Sequence, residues 1–275
     1  GVSPADMLTK HDALMNGNAP PIGAVHNDVM LREVAGWRVT ADISVPEGNG
    51  PHPVLVYFHG GGWTMGSPKT HLRVGREFAA AGYLTISIDY RRAPKHRFPA
   101  AFDDCFFATE WAVTNAARYG GDVTRLAVGG DSAGGNLAAG VLAEASKKGG
   151  PAIKAGALLY AVFDYHKAMS DLGWAGPKMQ LYLANDEYDG LKGDHRVSPF
   201  YACDGFPPCY IGVGTKDPLL QESLTLAKTL SEKGIEHDLH VLEGAPHGFF
   251  QLPPLEAYAE GYRRATAFLG KHLES

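Results

Sequence analysis

Cysteine is scarce in this chain. Its 275 residues hold three, Cys105, Cys203 and Cys209, an odd and sparse set that excludes a disulfide framework and fits a reducing compartment. A cytoplasmic location is the expectation that follows. Long apolar runs are missing: none reaches the roughly 20 residues that span a bilayer, so no stable membrane association is expected. Basic clusters are missing too. Net charge is −5, with both signs spread along the chain, which speaks against nucleic-acid binding. Metal-ligand spacings do not occur. His237 and His240 stand three apart in a strand-like stretch and point to opposite faces. Cys203 and Cys209 lack a partner pair at zinc spacing, and Asp186, Glu187 and Asp189 do not follow a calcium-loop pattern. No glycine loop ends in Gly-Lys-Ser/Thr, as a phosphate loop would. Neither a metal nor another cofactor is expected, and no internal repeat or low-complexity segment is seen.

What the chain does have is a regular alternation of strand and helix patterns. Continuous apolar runs at 53–58, 83–89, 125–128, 155–160 and 208–213 read as strands buried on both faces. Asp238 to Leu242 reads as the last strand, and Trp37 to Val45 alternates like an antiparallel edge strand. Helical patterns lie between them at 72–81, 102–119, 136–143, 220–233 and 255–269. This predicts an α/β fold with a mainly parallel sheet covered on both faces, in one domain over 1–275. Two stretches break the rhythm. Residues 1–27 are rich in Pro, Gly and Asn, with a short helix over 6–16. Residues 163–200 are polar and irregular, with helices expected around 177–184, and look like an insertion above the sheet.

The motif at the centre is Gly130-Asp131-Ser132-Ala133-Gly134, between a buried strand and a helix. A serine on so sharp a turn sits in a strained conformation, and flanking glycines let neighbouring backbone pass without a clash. A glycine-rich turn with a surface serine would look similar, but the strand and helix on either side favour a nucleophile. A serine hydroxyl needs a base, and the base needs an orienting carboxylate. In an open parallel sheet such groups gather at the carboxyl ends of the strands. Asp217, in Gly214-Thr215-Lys216-Asp217-Pro218, and His247, in Pro246-His247-Gly248-Phe249, follow later strands in the expected order. Alone, Asp217 would read as a turn former and His247 as a surface histidine. The run His59-Gly60-Gly61-Gly62-Trp63 follows another buried strand. Consecutive glycines let backbone N–H groups converge on one oxygen, and Gly61, Gly62 and Ala133 are the expected oxyanion donors.

Together these segments resemble the hormone-sensitive-lipase family of α/β-hydrolase carboxylesterases, in its bacterial branch. The resemblance is carried by His59–Trp63, Gly130–Asn136, Asp89-Tyr90-Arg91-Arg92-Ala93-Pro94 with Phe98-Pro99-Ala100, Arg196-Val197-Ser198-Pro199, Asp217-Pro218-Leu219 and His247-Gly248-Phe249. It implies an eight-stranded, mostly parallel sheet with a small cap from residues 1–27 and 163–200. It also implies a serine carboxylesterase for small acyl esters, with Ser132 as nucleophile, His247 as base and Asp217 as its orienter. Asp89, Arg91 and Arg92 would hold the core together. The segment ahead of the oxyanion motif is shorter than is usual in the family, which suggests a reduced cap and an open pocket, built from 163–200 and the loops around Trp63 and Phe249. The partner expected is a small-molecule ester, with homodimer formation left open. An amidase or formamidase using the same residues is the alternative enzyme. A non-catalytic ligand-binding protein on this fold is the alternative class, and the presence of His247 beside Ser132 and Asp217 speaks against it.

Overall fold

The structure, a computed structural model, describes residues 3–176 and 178–274. Helix α1 (Pro4–Asn16) is followed by strands β1 (Ala24–Val34), β2 (Trp37–Val45) and β3 (His52–Phe58). Next come α2 (Leu72–Ala80), β4 (Leu84–Asp89), α3 (Ala100–Asn115), β5 (Gly121–Asp131), α4 (Ala133–Lys148) and β6 (Ala155–Leu159). The chain continues through α5 (Tyr165–Asp171), β7 (Cys209–Gly214), α6 (Leu220–Glu232), β8 (His237–Leu242) and α7 (Glu256–His272). The strands form one eight-stranded sheet in the order β1-β2-β4-β3-β5-β6-β7-β8. Only the β1–β2 and β2–β4 pairings are antiparallel.

Side-chain period explains how the sheet takes helices on both faces. In β3, Val54, Val56 and Phe58 face one core with Phe102 of α3, Leu137 of α4 and Leu226 of α6. Leu55 and Tyr57 point the other way, into a second core with Phe78 of α2 and Tyr262 and Leu269 of α7. Since both sets are buried, the strand reads as a continuous apolar run. The chain moves outward from β3 to β4 and then returns to place β5 on β3's other side. That reversal opens a crevice at the carboxyl ends of β3 and β5, where Phe58 pairs with Gly130.

Three expectations change. Residues 24–27 belong to the sheet, not to a cap segment, and β1 rather than β2 is the edge strand. Polarity hides β1 in the sequence: Leu31 is its one buried residue. Residues 178–184 carry no helix, and position 177 lies outside the described residues. Backbone groups there are taken elsewhere: Tyr182 O accepts from Phe98 N at 2.9 Å, and Leu183 O accepts from Arg97. The insertion's helix is α5 instead, capped by the Asp164 side chain on Lys167 N.

Arg91 does hold the core. Its guanidinium makes two bonds to Asp104, at 2.9 and 3.0 Å, and its backbone N–H a third at 2.9 Å. Arg32 of β1 reaches the same carboxylate at 2.6 Å, and the Asp104 side chain is fully buried. Asp104→Ala would leave two guanidinium groups without their shared buried carboxylate. It should cost about 3–5 kcal/mol of unfolding free energy, read by urea titration; a loss below about 1 kcal/mol would contradict this account of the pair.

Candidate active site

Strand β5 ends in a turn that glycine makes possible. Ser132 sits at φ 53°, ψ −118°, a conformation that costs a non-glycine residue about 1–3 kcal/mol. A Cβ on Gly134 would fall 1.9 Å from the Phe58 carbonyl oxygen, and one on Gly130 2.3 Å from Gly134 O. Ser132 N donates to Leu159 O at 2.8 Å, tying the turn to β6. The hydroxyl is thereby carried to the N-terminus of α4, the positive end of its dipole.

The three residues singled out by order come together there. His247 Nε2 lies 2.9 Å from Ser132 Oγ, and its Nδ1 lies 2.7 Å from Asp217 Oδ2. Asp217's side chain is wholly buried, while 36% of the His247 side chain is accessible. The other carboxylate oxygen accepts Leu219 N at 2.7 Å. A carboxylate only accepts, so Nδ1 carries a proton and Nε2 offers a lone pair to the serine. Tyr160 steadies the ring edge-on, with centroids 4.9 Å apart. Such an arrangement can take the hydroxyl's proton as the oxygen attacks an acyl carbon.

The expected oxyanion donors are each aimed by the carbonyl of their own peptide. In a trans peptide the C=O and the following N–H point in opposite directions, so holding one directs the other. Gly60 O accepts from His59 Nδ1 at 2.7 Å, which directs Gly61 N–H. Gly61 O accepts from Thr64 N and Met65 N at 3.1 and 2.9 Å, which directs Gly62 N–H. Ser132 O accepts from Asn136 N at 3.1 Å, which directs Ala133 N–H. Gly61 and Gly62 line the same cavity as Ser132, and Ala133 is buried at the start of α4. The loop is also gripped from above. Trp63 stacks on Tyr182, 4.7 Å between centroids and 10° from parallel, and meets Tyr165 edge-on.

Three neighbours of the site were not singled out from sequence. Asp131, the variable residue of the serine pentapeptide, is buried and accepts from the Tyr57 hydroxyl, Gly60 N and His71 Nε2. Burial pushes its carboxyl up, but the His71 ring and the Tyr57 hydroxyl outweigh that and hold it below the usual range. His59 stacks on Tyr90 at 4.2 Å; burial, then the neighbouring His71, pushes its pKa down to about 3. Asn136 reaches Val162 O and Val197 O at 2.9 and 3.0 Å, clamping both ends of the insertion onto α4.

The cavity at Ser132 has a volume of about 700 Å³. Its walls are the glycine loop, Tyr160, Gly248, Gln251 and, from α1, Leu8, His11 and Met15. The loops around Trp63 and Phe249 line it as expected, through Gly60, Gly61, Gly62 and Met65 and through Gly248 and Gln251, but none of the described residues of 163–200 does, against expectation; the insertion instead packs on the back of the glycine loop. A separate cavity of about 610 Å³ lies within the insertion, beside His166 and Tyr188.

The family model for the α/β-hydrolase fold matches residues 55–251, more than half of the chain. The chain belongs to the α/β-hydrolase family. Within it, this hydrolase sits in the hormone-sensitive-lipase-like branch with bacterial carboxylesterases. The carboxylic ester hydrolase LipN of Mycobacterium tuberculosis is 37% identical over 277 residues, which cover 93% of this chain and 73% of LipN. Ethyl acetate hydrolase of Pseudomonas putida is 31% identical over 234 residues, covering 80% and 73%. Among solved structures, the Pyrobaculum calidifontis esterase superposes with a TM-score of 0.82 at 30% identity, covering 96% of this chain and 88% of its own. The carboxylesterase EstE1, cloned from a metagenomic library, superposes at 0.85 with 28% identity, covering 99% and 98%.

The His59 ring makes the stability of this hydrolase fall in acid. The unfolded chain takes up its proton near pH 6.5 and the folded one near 3. The contribution is therefore complete above the unfolded value and is lost as pH drops through that window, by up to about 1.4 kcal/mol per pH unit. Urea titrations between about pH 7 and pH 4 should show a steeper fall for the wild type than for His59→Gln, by close to one proton. Equal slopes would contradict a neutral, buried His59.

Proposed function

We propose that the protein is a serine carboxylesterase acting on short-chain acyl esters through an acyl-enzyme on Ser132. The observation that carries this reading is the unbroken line Ser132 Oγ, His247, Asp217, with contacts of 2.9 and 2.7 Å. Ser132 Oγ attacks the ester carbonyl carbon while its proton passes to His247 Nε2. Asp217 holds the imidazole and balances its charge without taking the proton. The negative charge that develops on the acyl oxygen is met by the N–H groups of Gly61, Gly62 and Ala133. Collapse breaks the bond to the alcohol, which leaves with the proton from His247. Water then enters by the same route: its oxygen bonds to the acyl carbon as its proton passes to His247, and collapse breaks the Ser132 ester, returning that proton to Ser132 Oγ and releasing the acid. Relatives bearing the names carboxylic ester hydrolase and ethyl acetate hydrolase support the substrate class.

Helix α1 serves as the cap in this reading. It supplies the apolar wall of Leu8 and Met15, and Met65 closes the other side. No described residue of the longer insertion extends the cavity, so apolar cover runs out after a few methylenes, each worth about 0.8 kcal/mol. A cytoplasmic location belongs to the proposal as well, supported by three free thiols. Among the described residues no helix is long and apolar enough to cross a membrane.

Ser132→Ala should lower kcat by about 10⁴ or more, and Asp217→Asn by a similar factor with KM little changed. Wild-type activity in a folded Ser132→Ala protein would refute the assignment. Across p-nitrophenyl esters, kcat/KM should peak between acetyl and hexanoyl and stay well above that for matching anilides. No jump in rate should appear when substrate passes its solubility limit, because His247 is already open to solvent. A maximum at palmitoyl, or a preference for anilides, would contradict the substrate class.

A further inference from the structure

The variable position of the serine pentapeptide could hold any small residue if it only shaped a turn. Here it holds a carboxylate with 3% exposure, enclosed on three sides. Asp131 Oδ1 accepts from the Tyr57 hydroxyl at 2.8 Å and from Gly60 N at 3.0 Å, and Oδ2 accepts from His71 Nε2 at 3.1 Å. His71 is itself 5% exposed. Its Nδ1 lies 2.9 Å from Thr70 Oγ1, so both ends of the ring are held. Both residues touch the cavity of Ser132, yet neither bonds to Ser132, His247 or Asp217.

A buried imidazole–carboxylate pair is weak evidence for stability, since apolar residues often replace such a pair at no cost. What an apolar residue could not do is receive the amide of Gly60. That amide begins the glycine loop, and the loop lies directly on the carboxylate: a Cβ on Gly60 would fall 2.5 Å from Asp131 Oδ2. The Gly60 carbonyl, on the other side of the same residue, sets the direction of Gly61 N–H through His59. We propose that His71 and Asp131 are positioning residues for ester cleavage. His71 fixes the carboxylate, the carboxylate fixes Gly60, and Gly60 places the Gly61 and Gly62 donors. This rests on the esterase reading above. The donors act most strongly once charge has developed on the acyl oxygen, so a misplaced loop should lower kcat and leave KM nearly unchanged.

The test sets Asp131→Ala and His71→Ala against Asp131→Asn and His71→Gln, with Ser132→Ala alongside. Asparagine still offers Gly60 an acceptor, and glutamine still offers Asp131 a donor. With a short-chain p-nitrophenyl ester, the two alanine variants should lose about 10² in kcat with KM within about threefold. The two amide variants should recover most of that loss. Inhibition by an alkyl trifluoromethyl ketone, which forms an oxyanion on the serine, should weaken in proportion to kcat. If Asp131→Ala does not fold, His71→Ala against His71→Gln carries the comparison. Unchanged kcat in a folded alanine variant would overturn the proposal, as would a loss confined to KM or no recovery with the amides. An active Ser132→Ala protein would instead refute the esterase reading itself.

Discussion

The close pass of α4 over the end of β3 is the contact on which this site depends. Gly134 lies against the Phe58 carbonyl so tightly that an added methyl group would sit 1.9 Å from it. That approach forces Ser132 into its left-handed conformation and aims its hydroxyl away from the sheet. The same approach brings Asp131 beneath Gly60, because Gly130 pairs with Phe58 across β5 and β3. The serine and the loop that faces it are therefore not placed independently. One strand pairing sets both, and the strain at Ser132 is sustained by the packing of α4, whose inner residues from Ala133 to Ala143 are all buried.

Around that contact the molecule uses its irregular segments in two ways. The insertion grips the glycine loop from outside through Tyr165 and Tyr182 on Trp63, and is itself clamped by Asn136 and by Glu222. The Glu222 carboxylate accepts Phe163 N and Asp164 N at 2.7 and 2.8 Å; burial raises its pKa despite those bonds. The N-terminal helix α1 lies over the cavity mouth. Its C-terminal end is tied to α2 by Asn16, whose side-chain oxygen accepts Arg73 N at 3.2 Å. Among the described residues, the Leu8 end of α1 has no such anchor.

Much of this was legible in the sequence because the relevant signals are local. Apolar runs marked β3, β4, β6 and β7, since strands covered on both faces have no polar side to hide them. The glycines at 130 and 134 marked the turn, and chain order marked Asp217 and His247. What stayed hidden was set by tertiary contact. Strand β1 is polar because it lies at an edge; its one local sign is the tight turn at Ala35 and Gly36, where φ is 51° and 72°, as two-residue hairpins require. The stretch 178–184 carries a helix-like pattern, but its one aromatic side chain, Tyr182, is spent on Trp63 and Phe98. Asp131 and His71 are 60 residues apart, and nothing in either neighbourhood announces the other. The capping box of α1, Ser3 with Asp6, was the available sign that a well-formed helix starts there.

The central claim is a covalent step at one oxygen, and rapid mixing with p-nitrophenyl acetate tests it most directly. Product release followed in the stopped flow, with acid-quenched samples digested for mass spectrometry, reads both the burst and its location. A burst approaching one p-nitrophenol per protein molecule is expected when deacylation is slower than acylation, with one acetyl group on the peptide containing Ser132. An acetyl group carried by any other residue at the turnover rate, with Ser132 unmodified, would contradict it.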